Sequence, residues 1–252
     1  MKFASLGSGS KGNATLVQAG DTLVMVDCGF SVRESTRRLA TLGLTPRDVD
    51  AILVTHEHSD HSSGVSAFSR KFQIPVYLTH GTQHSGRCDD CFSTKSLDLQ
   101  LRFTIGDLEI DAIAVPHDAR EPCQYRFFHR GMSLGILTDL GSVTPHVINR
   151  FRGCDALVLE FNHDEQMLRD GVYPYHLKKR VGGDWGHLNN RQAADLLGQI
   201  ESHSLRHLVV AHISEKNNSR VSAEQALLSV LPSLDNVIWA EQARGFDWLD
   251  LA

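Results

Sequence analysis

Four short apolar runs in this chain each end on a side chain of the kind that binds metal ions, and this recurrence constrains the fold more than any other feature. Ala51-Ile52-Leu53-Val54 leads into Thr55-His56-Glu57-His58-Ser59-Asp60-His61, and Ile113-Ala114-Val115-Pro116 leads into His117. Gly135-Ile136-Leu137-Thr138 leads into Asp139, and Leu208-Val209-Val210-Ala211 into His212. Apolar runs of this length read as buried strands. A polar residue at the end of such a strand stands where a rigid scaffold presents functional groups. His56, His58, Asp60 and His61 put three imidazoles and a carboxylate within six residues. Imidazole suits zinc and similar divalent ions, and carboxylate adds affinity and charge balance. A solvated polar loop is the plain alternative for this stretch, and an ordinary surface His or turn Asp for each of the others. The density of the first cluster and the shared context of all four argue for ligands.

The rest of the chain supplies elements for a layered fold. Residues 2–6, 14–19 and 21–27 read as strands between glycine-rich turns. Residues 31–42 read as a helix, with Leu39 and Leu42 at helical spacing and Gly43 as its stop. A helix over 65–72, a strand over 74–78 and a strand over 108–115 follow. Residues 125–128 and 132–137 read as a hairpin around Arg130-Gly131. Later, 156–159, 207–211, 237–240 and 246–249 read as strands, and 191–200 and 223–230 as helices. Strands run together early and alternate with helices later, which predicts an α/β or α+β sandwich. The 252 residues contain no internal repeat, low-complexity tract or proline-rich linker, so one continuous domain over 1–252 is expected.

Composition narrows the class. A hydrophobic content of 41% suits a globular chain, and no run approaches the ~18 apolar residues of a membrane span. The apolar part of residues 1–10 is too short for a signal peptide. Five cysteines, an odd number, read as reduced thiols, so a cytoplasmic protein with no membrane partner is expected. The net charge of −5 offers no global basic footprint for nucleic acid, although bound metal ions would add positive charge locally.

Further candidates each carry two readings. Asp27 ends the run Leu23–Val26 and either orients a ligand imidazole or caps the turn before Cys28-Gly29. His80, His84, Cys88 and Cys91, spaced four, four and three apart, would share one helical face as a structural zinc site. An ordinary helix with two reduced thiols is the favoured reading, because one Cys-x-x-Cys alone is a weak signal. Lys178-Lys179-Arg180 is either a solvated face or a grip on phosphates. Arg33, Arg37 and Arg38 fit an amphipathic helix better than a phosphate site.

The stretch from Thr55 to His61 resembles the H-x-H-x-D-H signature of metallo-β-lactamase fold hydrolases. His117, Asp139 and His212 match that family's later motifs in order and in strand-end position. The resemblance covers the chain and implies a four-layer αββα sandwich. It implies that His56, His58 and His117 hold one divalent ion, that Asp60, His61 and His212 hold a second, and that Asp139 bridges them. Zinc is the first expectation from the histidine-rich set, and manganese the second. Several stretches look like the YycJ/WalJ-type branch, regarded as DNA exonucleases. They are Gly7-Ser8-Gly9-Ser10-Lys11-Gly12-Asn13, Glu160-Phe161-Asn162-His163-Asp164, and Tyr173-Pro174 with Leu177-Lys178-Lys179-Arg180. Gly186-His187-Leu188-Asn189-Asn190 and His212-Ile213-Ser214-Glu215-Lys216-Asn217-Asn218 complete the set. Glu160 and His187 resemble the Glu and His pair of RNase Z, where the His assists the leaving group. Here Leu188-Asn189 stands where Ser-Thr is usual, and a purely local turn role for His187 is the alternative. Too few positions separate Asp139 from His212 for the inserted domain of β-CASP nucleases, and no insertion like the RNase Z flexible arm is evident, so tRNA is a weaker expectation than DNA.

The resemblance thus implies a two-metal hydrolase of phosphodiesters, a 5′ to 3′ DNA exonuclease working through a metal-bridging hydroxide. Asp60, His187 and Glu160 are the catalytic residues: Asp60 orients the hydroxide, and His187, steadied by Glu160, assists the departing oxygen. Asp27, His163, Lys178, Lys179, Arg180 and Asn217 are candidates for contact with substrate or for support of the ligands. A small-molecule hydrolase acting on a thioester, lactone or cyclic phosphodiester is the main alternative, because a metal set does not choose its substrate. A di-iron redox module is disfavoured by the intact His58, and an inactive metal-binding protein by the complete ligand set.

Overall fold

The computed structural model describes residues 1–201 and 205–251. Its strands are β1 (Lys2–Gly7), β2 (Ala14–Ala19), β3 (Thr22–Val26), β4 (Ala51–Leu53), β5 (Val76–Thr79), β6 (Thr94–Leu97), β7 (Phe103–Ile105), β8 (Leu108–Ala114), β9 (Cys123–His129), β10 (Met132–Leu137), β11 (Ala156–Glu160), β12 (His207–Ala211), β13 (Val237–Trp239) and β14 (Phe246–Asp250). Its helices are α1 (Val32–Thr41), α2 (Ser59–Ser62), α3 (Val65–Phe72), α4 (His80–Gln83), α5 (Pro145–Phe151), α6 (Glu165–Asp170), α7 (Tyr175–Val181), α8 (Asn190–Gln199) and α9 (Arg220–Leu227). The strands form two mixed sheets flanked by helices, the α/β sandwich expected. The chain divides into two compact units. Unit 1 is Met1–Ala114, Ala119–Met132 and Ala240–Ala252, and unit 2 is Val115–Asp118 and Ser133–Trp239.

In unit 1 one sheet has the order β14-β1-β2-β3-β4-β5-β6. Its pairs are antiparallel from β14 to β3 and parallel from β3 to β6. Parallel neighbours need crossovers, and α1 and α3 supply the first two. β3 and β4 are buried at every position, which explains their unbroken apolar sequence. α1 starts where the Ser31 side chain accepts a hydrogen bond from Glu34 N at 3.3 Å, and it turns Ser35 and Leu39 into the core. Leu16, Met25, Ile52, Phe68 and Val76 belong to that core. β7, β8 and β9 pair antiparallel. At the end of β9, Arg130 (φ 51°) and Gly131 (φ 77°) are both left-handed, as the predicted tight hairpin turn requires.

In unit 2, β10 to β13 are parallel in the order β13-β12-β11-β10. Leu137 is level with Leu159, and Glu160 with Ala211. Continuing that register, Asp139, Phe161 and His212 stand at one level just beyond the carboxyl edge. Parallel strands share that edge, so donors far apart in sequence converge on it.

Several elements escaped the sequence reading. β6 and β7 are short and only partly buried, so no apolar alternation marks them. α5, α6 and α7 are single or double turns too short for periodicity: Thr144 and Asp164 cap α5 and α6 by accepting from Val147 N and Met167 N, and α7 follows Pro174 without a side-chain cap. β5 starts at Val76, after Pro75. α9 starts three residues earlier than expected, because Ser219 caps it by accepting from Ser222 N. The face drawn through His80, His84, Cys88 and Cys91 is corrected: α4 stops at Gln83, and Gly86 takes a left-handed turn at φ 77°. Among the described residues no helix is long and apolar enough to cross a membrane.

Candidate metal centre

In unit 1 the loop after β4 carries four donors. α2, one turn long, presents Asp60 and His61, and backbone bonds anchor it: Asn13 N donates to Asp60 O and Cys28 N to His61 O, both at 2.8 Å. Asp27 leaves β3 in the left-handed region at φ 60°. Its carboxylate accepts from Thr55 N and Thr55 Oγ1, each at 2.8 Å, and meets His61 Nδ1 at 2.7 Å. Thr55 Oγ1 also lies 2.9 Å from His56 Nδ1. With both Nδ1 atoms engaged, Nε2 is the ring atom that can serve as ligand in His56 and His61. His56 Nε2 stands 3.0 Å from His58 Nδ1, close to the approach of two nitrogens sharing one ion through bonds of about 2.0–2.1 Å. Burial pushes the Asp27 carboxyl up, and His61 opposes that shift. Asp27 therefore sits against the His61 imidazole, the arrangement its first reading requires.

In unit 2 a second set gathers. Asp139 and His212 are both left-handed, at φ 54° and 51°, a strained backbone that for non-glycine residues clusters at functional sites. Asp139 Oδ1 is 3.3 Å from His212 Nδ1, 3.6 Å from His187 Nδ1 and 3.9 Å from His117 Nε2. His117 Nδ1 is held 2.9 Å from Gly186 O. Glu160, fully buried at the end of β11, accepts from Leu140 N at 2.8 Å, Leu188 N at 3.0 Å and Asp139 N at 3.2 Å. Its Oε2 also faces His187 Nδ1 at 3.1 Å and His212 Nδ1 at 3.4 Å. Burial alone would raise this carboxyl, but His187 and the hydrogen bonds from His187 and His212 reverse the effect and hold it at about 2. Asp139, Glu160, His187 and His212 offer ligand atoms within 4.8 Å of one another.

The remaining candidates are placed as follows. His163 is buried, with Nδ1 3.3 Å from Asn162 Oδ1, and burial pushes its imidazole down to about 4. Asn217 is fully buried, and its amide donates to Ser214 Oγ at 3.4 Å. Lys178, Lys179 and Arg180 lie on α7, where Lys178 Nζ donates to Arg169 O at 2.7 Å and Arg180 pairs with Asp118. Arg33 is exposed on α1, while Arg37 and Arg38 both grip Glu34. Arg38 also donates to Leu6 O at 2.6 Å and covers the Phe30 ring, a packing role. Among the described residues no donor group includes His80, His84, Cys88 or Cys91.

Three contributors went unread as site residues. Asn13 Nδ2 lies 3.1 Å from His61 Nε2 and 3.4 Å from Asp60 Oδ2. Thr55 links Asp27 to His56, and the Gly186 carbonyl holds His117. Thr55 was signalled by its position directly before the first histidine, and Asn13 and Gly186 only by lying in family-like stretches.

Comparison with known proteins agrees with this geometry. The model of the beta-lactamase superfamily domain matches residues 22–213. Exodeoxyribonuclease YycJ of Bacillus anthracis is 34% identical over 237 residues, 92% of this chain and 89% of that protein. Exodeoxyribonuclease WalJ of Streptococcus pneumoniae serotype 2 strain D39 is 33% identical over 242 residues, 93% of this chain and 89% of that one. The crystal structure of the metallo-beta-lactamase fold protein YhfI from Bacillus subtilis superposes with a TM-score of 0.77 at 16% identity, covering 98% of both chains. Donors at the carboxyl ends of parallel strands, a domain match over most of the length and relatives a third identical nearly end to end lead to one conclusion: this chain belongs to the beta-lactamase superfamily, as a metal-dependent hydrolase of the metallo-β-lactamase fold.

Proposed function

We propose that this chain is a two-metal DNA exonuclease that digests from the 5′ end. In this reading residues 1–252 work as one domain, supported by a family match that takes in parts of both units. His56, His58 and His117 hold one ion, Asp60, His61 and His212 the second, and Asp139 is common to both. The donors fit divalent ions: their imidazoles are oriented through Nδ1 by Asp27, Thr55 and Gly186. The histidine-rich set favours zinc, with manganese as the second choice. Bound ions would lower the pKa of an attacking water and offset charge growing on the phosphoryl oxygens.

The observation that carries the nuclease reading is the His187–Glu160 pair. Glu160 Oε2 engages His187 Nδ1 at 3.1 Å, so Nε2 is the atom that gives a proton to the departing oxygen. The depressed Glu160 carboxyl keeps its charge opposite that proton donor. Asp60, partly exposed beside the buried His61, orients the attacking hydroxide. Lys178, Lys179 and Arg180 supply cations for the phosphates. His163 and Asn217 are buried and support the ligand loops from behind. DNA as substrate is supported by the names of the two relatives. A cytoplasmic setting is supported by five free thiols.

The test is digestion of 5′-phosphorylated duplex, single-stranded DNA and RNA by metal-stripped protein after manganese or zinc is restored. Metal-dependent shortening of DNA from the 5′ end is expected, abolished in Asp60→Ala/His61→Ala. His187→Ala is expected to keep its metal while turnover falls roughly 10²–10⁴-fold. No cleavage of any nucleic acid by protein carrying two metals would overturn the reading and point to a small ester or thioester.

A further inference from the structure

We propose that Tyr175 and Trp185 form a stacking platform for unpaired bases, so that the strand end this protein engages is single-stranded. The inference deepens the nuclease reading and rests on it. Val172, Tyr175 and Trp185 are 83%, 81% and 63% exposed, and they fall within one stretch of fourteen residues. α7, at the centre of that stretch, buries none of its residues. Leu177 and Val181 are only half-buried, so the helix leaves most of its surface to solvent, and exposed apolar groups clustered in one segment mark an interaction site.

The same stretch carries Lys178 and Lys179, with Arg180 paired to Asp118 and Asp184 as the one acid within the stretch, in a chain whose net charge is −5. Aromatic faces interleaved with cations are what a single strand needs: bases stack on the rings, and phosphates meet the ammonium groups. A paired duplex keeps its bases stacked on one another and offers a ring only its edges. Every base has a π face, so the platform accepts any sequence, as an enzyme that digests along a strand requires.

The platform is fastened to the catalytic donors of unit 2. His187 N donates to Val181 O, the last residue of α7, at 2.8 Å. Gly186, next to Trp185, holds His117 Nδ1 through its carbonyl at 2.9 Å. Gly141 admits this segment beside the Asp139 loop: a Cβ there would lie 2.3 Å from Asp184 O and 2.5 Å from Trp185 Cα. A base stacked on Trp185 is therefore a few residues from the proton-donating His187.

The experiment compares the metal-loaded wild type with Tyr175→Ala/Trp185→Ala and Tyr175→Phe/Trp185→Phe. On a single-stranded oligonucleotide the alanine variant is expected to raise KM by roughly tenfold or more, with kcat little changed, while the phenylalanine variant retains the wild-type KM. Hydrolysis of bis(p-nitrophenyl) phosphate, which needs no strand contact, should be the same in all three. Lys179→Ala should reduce the slope of log affinity against log salt by about 0.7. An unchanged KM in the alanine variant, or an equal loss in the phenylalanine variant, overturns the platform. If the wild type digests no nucleic acid, the nuclease reading fails by itself. Fluorescence anisotropy of a labelled single strand on the same three proteins then decides the platform: weaker binding in the alanine variant alone upholds it, and equal binding refutes it.

Discussion

At the scale of single residues, five candidate imidazoles each meet a fixed partner within their own unit. Asp27 and Thr55 hold His61 and His56, Gly186 O holds His117, and Glu160 engages His187 and His212. Asp27 was readable only as a strand-end carboxylate with two roles; the 2.7 Å contact with His61 decides between them. His163 illustrates the cost of such packing. Burial holds its imidazole at about 4, below the ordinary value, so the folded state keeps it neutral while the unfolded chain takes a proton near pH 6.5. Its contribution is complete above pH 6.5 and is lost as pH falls toward 4, on the order of 3 kcal/mol. Urea unfolding of metal-free protein at pH 7.5 and pH 5 should show about 2 kcal/mol of that loss in the wild type and a smaller one in His163→Gln. Equal losses in both would refute the assignment.

At the scale of elements, parallel strands do the placing. β10, β11 and β12 end on one edge, and their register brings Asp139, Glu160 and His212 together although they are far apart in sequence. The loops beyond that edge pack backbone against backbone. Gly141 N donates to Pro116 O at 2.8 Å, and Gly141 has no room for a side chain against Asp184 and Trp185. Gly141→Ala should therefore displace the segment that carries Gly186 and His187. The expected result is a loss of about 1–3 kcal/mol in chemical unfolding together with weaker metal binding by calorimetry. Stability and metal affinity both at wild-type level would mean that the loops adjust freely.

At the scale of the whole molecule, each unit carries its own group of candidate donors, His56 among those of unit 1 and His212 among those of unit 2. Ions that bind only the folded chain stabilise it by mass action, by about 2.7 kcal/mol at a hundredfold excess over Kd. For a chain of this length that corresponds to a rise in Tm of roughly 5–10 °C. Metal add-back followed by differential scanning calorimetry should show this rise. Asp60→Ala/His61→Ala in unit 1 and His212→Ala in unit 2 should each reduce it. A full rise in either variant would separate the two donor sets.

The amino-acid sequence alone determined the family and the α/β class and singled out the candidate donors, because those signals are local. A histidine cluster directly after an apolar strand, and an Asp or His at the end of three others, can be read without knowing what lies beside them. Strands and helices with strong periodicity, such as β4, β12 and α3, were legible for the same reason. Tertiary structure decided which carboxylate faces which imidazole, the part played by Asn13 and the Gly186 carbonyl, and the end of α4 before Cys88. These depend on strand register and on approaches between segments tens of residues apart, where no local pattern exists. The exposure of Tyr175 and Trp185 belongs to the same class, since a sequence shows an aromatic ring but not whether a core has claimed it.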